Sequence, residues 1–492
     1  MPRPGTDILI VDDLRPSGPV LTTGQAFFAG TAERGPASAQ KVASPRDYTD
    51  RYGARTGGSL LNDAVNTYFA EGGVMLYVSR IVADDAVAAT APLGTGGVVT
   101  VTADSPGVWG NQVTVSVEGA PGYTAAGDPV ILVVSYQGAE VDRSGVCAAA
   151  ADCAAFGQVS QWIDVTATGL PADGDTATLT TGTDGTGGGD LDAALARFEH
   201  GLGPGQVAAP GLTSTAAHTS LCAHADQMRR CALLDLPDTG SVSALTTAID
   251  ALQGATPDTG VPGVRYALAL APWLTYPGPV GPSTIVVPYS GVQAGLIARA
   301  DATNANPNQA AGGVNGISRQ ALGLSQTYSD ADRETLNQAG VALAKVVYGQ
   351  VRTYGYRTAA GPNDPNWTWF GNSRLIMAIA WESDAVAENY VLGQIDGRHQ
   401  VMARLESDLR GVCLAHYNAG ALYGATPADA FDVDTGPTVN TDATIANGEL
   451  HAVISLRCSP GAEWVQIEIV RVAPDRTLPN APVTGTQPAL AA

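Results

Sequence analysis

Apolar residues fall along the chain in short runs, and the spacing between runs switches between strand and helix periods. Ala26-Phe27-Phe28-Ala29-Gly30-Thr31 predicts a short buried strand ending in a turn. Residues 45–52 and 60–71 predict helices. In the second, Leu60, Leu61, Ala64, Val65, Tyr68 and Phe69 recur at helical spacing, and Gly72-Gly73 stops it. Val74-Met75-Leu76-Tyr77-Val78 follows as a continuous apolar strand, the pattern of a sheet covered on both faces. Further on, helices at 191–199, 214–230 and 242–252 alternate with strands at 206–210, 231–236 and 266–270. That βαβ rhythm predicts a parallel or mixed sheet with helices on its faces. Helices at 289–300 and 330–339 follow, joined by a polar loop around 304–316.

Two stretches break the rhythm. Between about 90 and 181, strands at 98–102, 112–118, 130–136 and 176–180 alternate with Gly/Pro turns, which predicts an inserted β-sandwich or small barrel. Asp184-Gly185-Thr186-Gly187-Gly188-Gly189-Asp190 closes it as a flexible connection. A last compact unit begins near Tyr348. It has an apolar stretch at 374–381, one long helix over 386–411 with Val391, Ile395, Val401, Met402, Leu405 and Leu409 near one stripe, and strands at 432–434 and 449–457.

Each end of the chain carries an isolated strand: Asp7, Ile8, Leu9, Ile10 and Val11 at one end, and Trp464, Val465, Gln466, Ile467, Glu468, Ile469, Val470, Arg471 and Val472 at the other. A lone strand cannot pair its own backbone N–H and C=O groups. Both strands either edge the chain's own sheet or add to a neighbour's sheet. The fold class is therefore α/β and α+β multidomain. Residues 1–23 are an N-terminal arm and linker. Residues 24–90 and 183–347 are two parts of a central α/β domain with a mixed sheet. Residues 91–182 are an inserted β-sandwich-like domain, 348–461 a C-terminal α+β domain, and 462–492 a C-terminal arm strand and tail.

Composition narrows the function. The formal charge of −21 argues against nucleic acid as a partner, because phosphate binding needs a basic surface. Residues 340–412 hold seven basic and seven acidic side chains, so the net negative charge lies outside that segment. Such a neutral segment either faces other protein or reflects ordinary variation between domains. No apolar run approaches the roughly 20 residues of a membrane span, and Met1-Pro2-Arg3-Pro4-Gly5-Thr6-Asp7 lacks an apolar signal core. The expectation is a protein that stays in the cytoplasm where it is made, with no membrane partner. Its six scattered cysteines then read as free buried thiols.

Candidate chemistry is sparse. Gly182 to Gly189 resembles a phosphate loop by composition only, because it lacks the Gly-Lys-Ser/Thr ending. His218 and Cys222 are four apart in a predicted helix, but His224 points elsewhere and no matching ligand cluster follows, so packing is the simpler role. A Ser-His-Asp arrangement stays open with six histidines, yet no Gly-x-Ser-x-Gly elbow occurs. Asn366-Trp367-Thr368 is a formal glycosylation triplet, void without secretion. Trp367, Trp369 and Phe370 read as core or interface anchors. No catalytic, cofactor or metal site is assigned, and the chain is not expected to be an enzyme.

Several segments, in order along nearly the whole chain, resemble the contractile tail sheath family of myophage tails and phage-like contractile injection systems. They are Pro4-Gly5 before a short strand; Ala26 to Pro36; Tyr68 to Ile81; Pro106-Gly107-Val108-Trp109-Gly110-Asn111; Ala271-Pro272-Trp273-Leu274; Ala294 to Asp301; Gly371-Asn372-Ser373-Arg374-Leu375; and Ala462-Glu463-Trp464 onward. One departure stands out. The Lys-x-Pro-Ala-Asn loop usual after Arg299-Ala300-Asp301 is replaced by Asn304-Ala305-Asn306-Pro307-Asn308-Gln309.

The resemblance implies a structural subunit that polymerises in hexameric rings stacked helically around an inner tube and contracts to drive the tube through a target envelope. It implies the terminal strands joining neighbours' sheets, and a C-terminal domain facing the tube with Arg398, Arg404 and Arg410 as candidate tube-facing residues. It also implies a tail tube protein, baseplate and tail terminator as partners, no cofactor, and a place in a virion tail or a cytoplasmic injection particle. The sheath of a bacterial injection system is the alternative to a phage tail. An α/β enzyme with a β accessory domain is a more distant one.

Overall fold

The computed structural model describes residues 23–56, 60–187, 189–256, 259–278 and 283–467. The 7–11 strand lies outside them, as does the 464–472 strand beyond Ile467. The chain divides into a body ending at Pro460 and a second unit from Gly461 onward.

The first elements are β1 (Ala26–Gly30), β2 (Gln40–Val42), α1 (Pro45–Tyr52), α2 (Leu61–Glu71) and β3 (Leu76–Arg80). Ser44 caps α1 through the Asp47 N–H, and Pro45 opens the helix where no N–H is needed. Gly72, at φ 117°, ends α2 in the left-handed region a glycine tolerates. After the insertion come α4 (Leu191–Ala196), β11 (Gln206–Ala208), α5 (Thr215–Met228), β12 (Cys231–Asp235), α6 (Val242–Asp250) and β13 (Ala267–Ala271). Then follow β14 (Leu274–Pro277), β15 (Thr284–Val287), α7 (Tyr289–Asn304), β16 (Gly323–Leu324), α8 (Asp330–Gln338), β17 (Val341–Val347) and β18 (Gln350–Thr353).

Eight of these strands form one mixed sheet in the order β18-β17-β13-β12-β11-β1-β3-β2. The inner six run parallel, and β18 and β2 close the edges antiparallel. Every residue of β1, β12 and β13 is buried, which explains why they read as unbroken apolar runs. Alternate side chains enter two cores. Phe28, Leu233 and Leu268 pack with Leu61, Tyr68, Val292 and Leu296 of α2 and α7. Phe27, Val207 and Leu234 pack with Leu195, Leu221, Leu245 and Leu336 of α4, α5, α6 and α8. The strand expected at 74–78 starts two residues later because Leu76 registers with Ala26, and Val74 stays outside, 76% exposed.

The insertion holds β4 (Thr90–Leu93), β5 (Val99–Ala103), β6 (Val113–Gly119), β7 (Val130–Tyr136), β8 (Ala139–Arg143), α3 (Ala150–Val159), β9 (Ile163–Ala167) and β10 (Thr176–Thr178). Its two antiparallel sheets, β4-β5-β9 and β10-β6-β7-β8, share one core around Trp109, Val115, Leu132 and Ile163. The domain is fastened to the body. The Arg34 guanidinium lies 3.8 Å over the Trp162 ring, the Tyr136 hydroxyl donates to Glu33 (2.5 Å), and Arg80 donates to the carbonyls of Ala32, Gly35 and Pro106. The connection expected to be flexible is pinned as well. Asp85 accepts from the Thr186 N–H and hydroxyl, and Asp184 from the Val108 N–H.

The C-terminal region adds α9 (Phe370–Ala387), α10 (Gln400–Asn418), α11 (Pro427–Ala430), β19 (Phe431–Asp434), α12 (Asp442–Ala446) and β20 (Val453–Leu456). The domain boundary expected at 347/348 falls inside the β17–β18 hairpin of the main sheet. The single helix expected over 386–411 is two helices. Leu392 (φ 62°) and His399 (φ 57°) leave the helical region, and Asp396 restarts it by accepting from the Gln400 N–H. Val391 is consequently exposed, while Met402, Leu405 and Leu409 keep their buried stripe. Helix α9 joins two cores, with Phe370 and Met377 under the main sheet and Leu375 and Ile379 in the C-terminal core.

A buried carboxylate fixes the underside of the body. Glu71, at the end of α2 with a fully buried side chain, accepts from the Tyr276 hydroxyl (2.7 Å), the Ser318 hydroxyl (2.5 Å), the Arg319 N–H (2.9 Å) and Arg299 (3.2 Å). Glu71→Ala strands these donors. It is expected to cost about 3–5 kcal/mol, read as a lowered urea midpoint with faster proteolysis in the 317–321 loop.

Candidate assembly surface

The places where catalysis was open in the sequence are structural. Asp235, buried at the end of β12, accepts from the Ser290 hydroxyl (2.6 Å), the Ser290 N–H (2.7 Å) and the Gly211 N–H (3.0 Å). Burial pushes its carboxyl pKa up, and these donors oppose the shift. His218 Nε2 bonds the Asp235 main-chain carbonyl (3.0 Å). In a nucleophilic triad the serine bonds the histidine and the histidine bonds the carboxylate. Here Ser290 bonds the carboxylate directly, so the wiring tethers α7 and α5 to β12.

His224 is equally structural. Its Nε2 accepts from Arg230 (3.0 Å), whose side chain also donates to the carbonyls of Phe198, Glu199 and Gly203. Cys222 is buried, and burial pushes its thiol up to about 12. Among the described residues no cluster of His, Cys, Asp or Glu is placed to hold a metal ion. All six cysteines are free. Trp367 meets Tyr266 edge-on, while Trp369 and Phe370 meet Tyr356, so the aromatic run anchors α9 to the body.

The distinctive feature is the small sheet β19–β20. It pairs Phe431 with Leu456 through Asp434 with Val453, antiparallel and two strands wide. The Arg457 N–H donates to the Ala430 carbonyl (2.8 Å), which fixes the alternation of hydrogen-bonded pairs. Asp432 with Ser455 and Asp434 with Val453 face each other. Phe431, Val433, Ile454 and Leu456 turn their N–H and C=O groups outward.

The two outward edges differ. On β19, the Phe431 N–H donates to the Pro427 carbonyl, and the Val433 carbonyl accepts from Arg410 (2.9 Å). On β20, no described residue pairs the outward groups of Ile454 or Leu456, and Val453 is exposed. The Ile454 and Leu456 side chains pack inward against a core with Leu405, Leu409 and Phe431. Ile454 also reaches an open groove of about 530 Å³ that lies between α9, α10 and the 450–454 segment, with Ala380, Asp384, Leu405, Leu409 and Leu450 among its lining. An edge that exposes unpaired backbone beside apolar surface is the geometry that accepts an added strand.

The residues singled out for tube contact differ in their surroundings. Arg398 and Arg404 are exposed. Arg410 is engaged within the body, donating to Glu406 (2.9 Å) and Asp432 (2.7 Å). Of the terminal segments, Trp464, Val465, Gln466 and Ile467 lie in no strand, and Trp464, Val465 and Ile467 are exposed. The chain leaves the body just past β20, where the Ser459 N–H donates to the Ala421 carbonyl (2.9 Å). Sequence reading placed β20 but not which of its edges is paired, because alternation along one strand carries no record of which side its partner occupies.

No protein-family model matches the chain, and no curated protein matches its sequence. Solved structures do match its fold. A sheath tail protein from Listeria innocua is 15% identical with a TM-score of 0.60, the match covering 89% of this chain and 95% of that one. A sheath tail protein from Desulfitobacterium hafniense is 15% identical with a TM-score of 0.58, covering 88% and 93%. The helical sheath of the anti-feeding prophage in its contracted state is 15% identical with a TM-score of 0.57, covering 96% and 100%. The chain has the fold of these sheath proteins.

Burial holds His224 neutral, with its pKa down to about 3, and the adjacent Arg230 adds to the shift. The unfolded histidine titrates near 6.5. A depressed folded pKa leaves its stability complete above that value and lost as pH falls from about 6.5 toward 3. In melting curves across that window, His224→Gln is expected to lose stability less steeply than the parent, by about 5 kcal/mol at most. Parallel slopes would remove His224 as the titrating group.

Proposed function

We propose that this protein is the subunit of a contractile tail sheath: hexameric rings stacked helically around an inner tube, whose contraction drives the tube through a target envelope. The observation that carries the reading is the open β20 edge beside the root of the C-terminal segment. It occurs in a chain matched by sheath proteins over nearly its whole length. Segments 7–11 and 464–472 of neighbouring subunits add to this small sheet and weave a mesh. A heterologous contact that does not close on itself then propagates as a helix.

Magnitudes support the division of labour. A five-residue strand adds about five hydrogen bonds at about 0.5–1.5 kcal/mol net each, so two arms give roughly 5–15 kcal/mol per subunit. The mesh survives while body-to-body contacts exchange, and the linkers at 14–23 and 457–461 act as hinges. The extended sheath is a kinetic trap that the baseplate releases. The charge-balanced C-terminal region faces the tube protein, with Arg398 and Arg404 outermost and Arg410 bracing β19. The insertion, with nine acidic residues against the single basic Arg143 in 91–182, faces solvent. A tail terminator caps the stack. Assembly takes place in the bacterial cytoplasm, and the particle is a virion tail. A second reading, the sheath of a bacterial contractile injection system, draws on the fuller coverage with the anti-feeding prophage sheath.

Deleting residues 1–14, or everything after Ala462, is expected to leave folded protein that forms no tubes in negative stain. Long tubes from both truncations would sink strand exchange. Leu456→Pro removes an outward N–H without touching the bonds to β19. It is expected to keep the melting temperature within a few degrees and to abolish tubes.

A further inference from the structure

Thr23, the first described residue, and Ser459, next to the end of the body, are tied to one another. At the N-terminal root, the Thr23 hydroxyl donates to Asp301 Oδ2 (2.6 Å), and Gln206 Nε2 donates to the Thr23 carbonyl (2.7 Å). Asp301, on α7, is paired with Arg374 on α9 (2.5 Å), and side-chain exposure is 9% and 2%. Burial alone would lower the Arg374 pKa, but the Asp301 carboxylate reverses that and leaves it raised. The other arm of the same guanidinium donates to the Pro307 carbonyl (2.9 Å). One residue on, Asn308 Nδ2 donates to the carbonyls of Ala421 (3.1 Å) and Ser459 (2.8 Å). Ser459 is the C-terminal root. Asn306 adds a bond to the Ala419 carbonyl (3.1 Å) and accepts from the Asn308 N–H (2.9 Å).

We infer that Asp301, Arg374 and Asn308 form one buried node that couples the roots of the N- and C-terminal segments within a subunit. The chain of contacts runs Thr23, Asp301, Arg374, Pro307, Asn308, Ser459, each link a hydrogen bond or ion pair except the peptide bond from Pro307 to Asn308. Asp301, Arg374 and Asn308 are each at least nine-tenths buried. A charge pair at that depth resists separation, because parting it leaves two uncompensated charges out of water. The node is a positioning device, and its mechanical meaning rests on the sheath reading: pull from the neighbour holding one arm reaches the neighbour holding the other by the shortest path. It also explains why a polar Asn-rich loop sits buried at 306–308. The two asparagine amides are the donors that hold main-chain carbonyls of the 419–421 turn and of Ser459.

Coupling is reciprocal, so loosening either root must loosen the other. The test is hydrogen–deuterium exchange on the full-length protein at concentrations where it is unassembled, comparing Thr23→Val and Asn308→Ala with the parent. Thr23→Val is expected to speed exchange in the peptide containing the Ser459 N–H by about three- to tenfold, the scale of one lost hydrogen bond. Asn308→Ala is expected to speed exchange at the Ala26 N–H, which bonds the Met75 carbonyl, by a similar factor. Arg374→Lys, which keeps the charge and loses the two-pronged bridge, speeds both if it folds. Effects confined to the mutated root in both single variants would overturn the node. Because the readout is on unassembled protein, it stands apart from whether tubes form.

Discussion

Every strand here must pair its backbone or leave polar groups unmet, and that constraint arranges the molecule. The main sheet meets it internally. Six parallel strands are buried on both faces, and antiparallel β2 and β18 finish the two edges. The insertion meets it with two small sheets around one core. The β19–β20 sheet meets it on one side only. Its β19 edge is stopped by Arg410 and by α11, while no described residue pairs the outward groups of its β20 edge.

The rest of the structure holds the β19–β20 sheet at a fixed place. Helix α9 runs from the main-sheet core into the C-terminal core, so β19–β20 is carried on an element rooted in the sheet. The insertion is fastened by Arg34 on Trp162 and by Glu33 on Tyr136, side chains that follow directly on β1. The Asp301–Arg374 pair sits between these regions and draws the loop at 306–308 against the chain's point of exit. These contacts use buried charges and amides with defined partners, which specify geometry more sharply than apolar packing alone.

Much of the body was legible in the residues. Pro45 to Tyr52 forms the helix its cap and proline announce, and the βαβ rhythm from 191 to 271 became three parallel strands with their helices. The misses have physical causes. Strand β8, Ala-Glu-Val-Asp-Arg, has only Ala139 and Val141 as apolar residues and buries none of its side chains, and α3 is alanine-rich with no side-chain cap hydrogen bond. The helix expected over 386–411 broke where Gly393 and Gly397 flank an Asp396 that caps better than it propagates. The contacts that hold Thr23 and Ser459 to the body were invisible because they join residues more than a hundred positions apart. Two of the segments that carried the family resemblance, ending at Asp301 and containing Arg374, meet in the buried pair, a relation that spacing cannot express.

The central claim is that β20 receives strands from other subunits. A helical cryo-electron microscopy reconstruction of the assembled protein at side-chain resolution tests it directly. The account predicts β19–β20 widened by the 7–11 and 464–472 segments of neighbouring subunits, one of them hydrogen-bonded to Ile454 and Leu456. A map in which both terminal segments fold back onto their own subunit, with the β20 edge still unpaired, would contradict it.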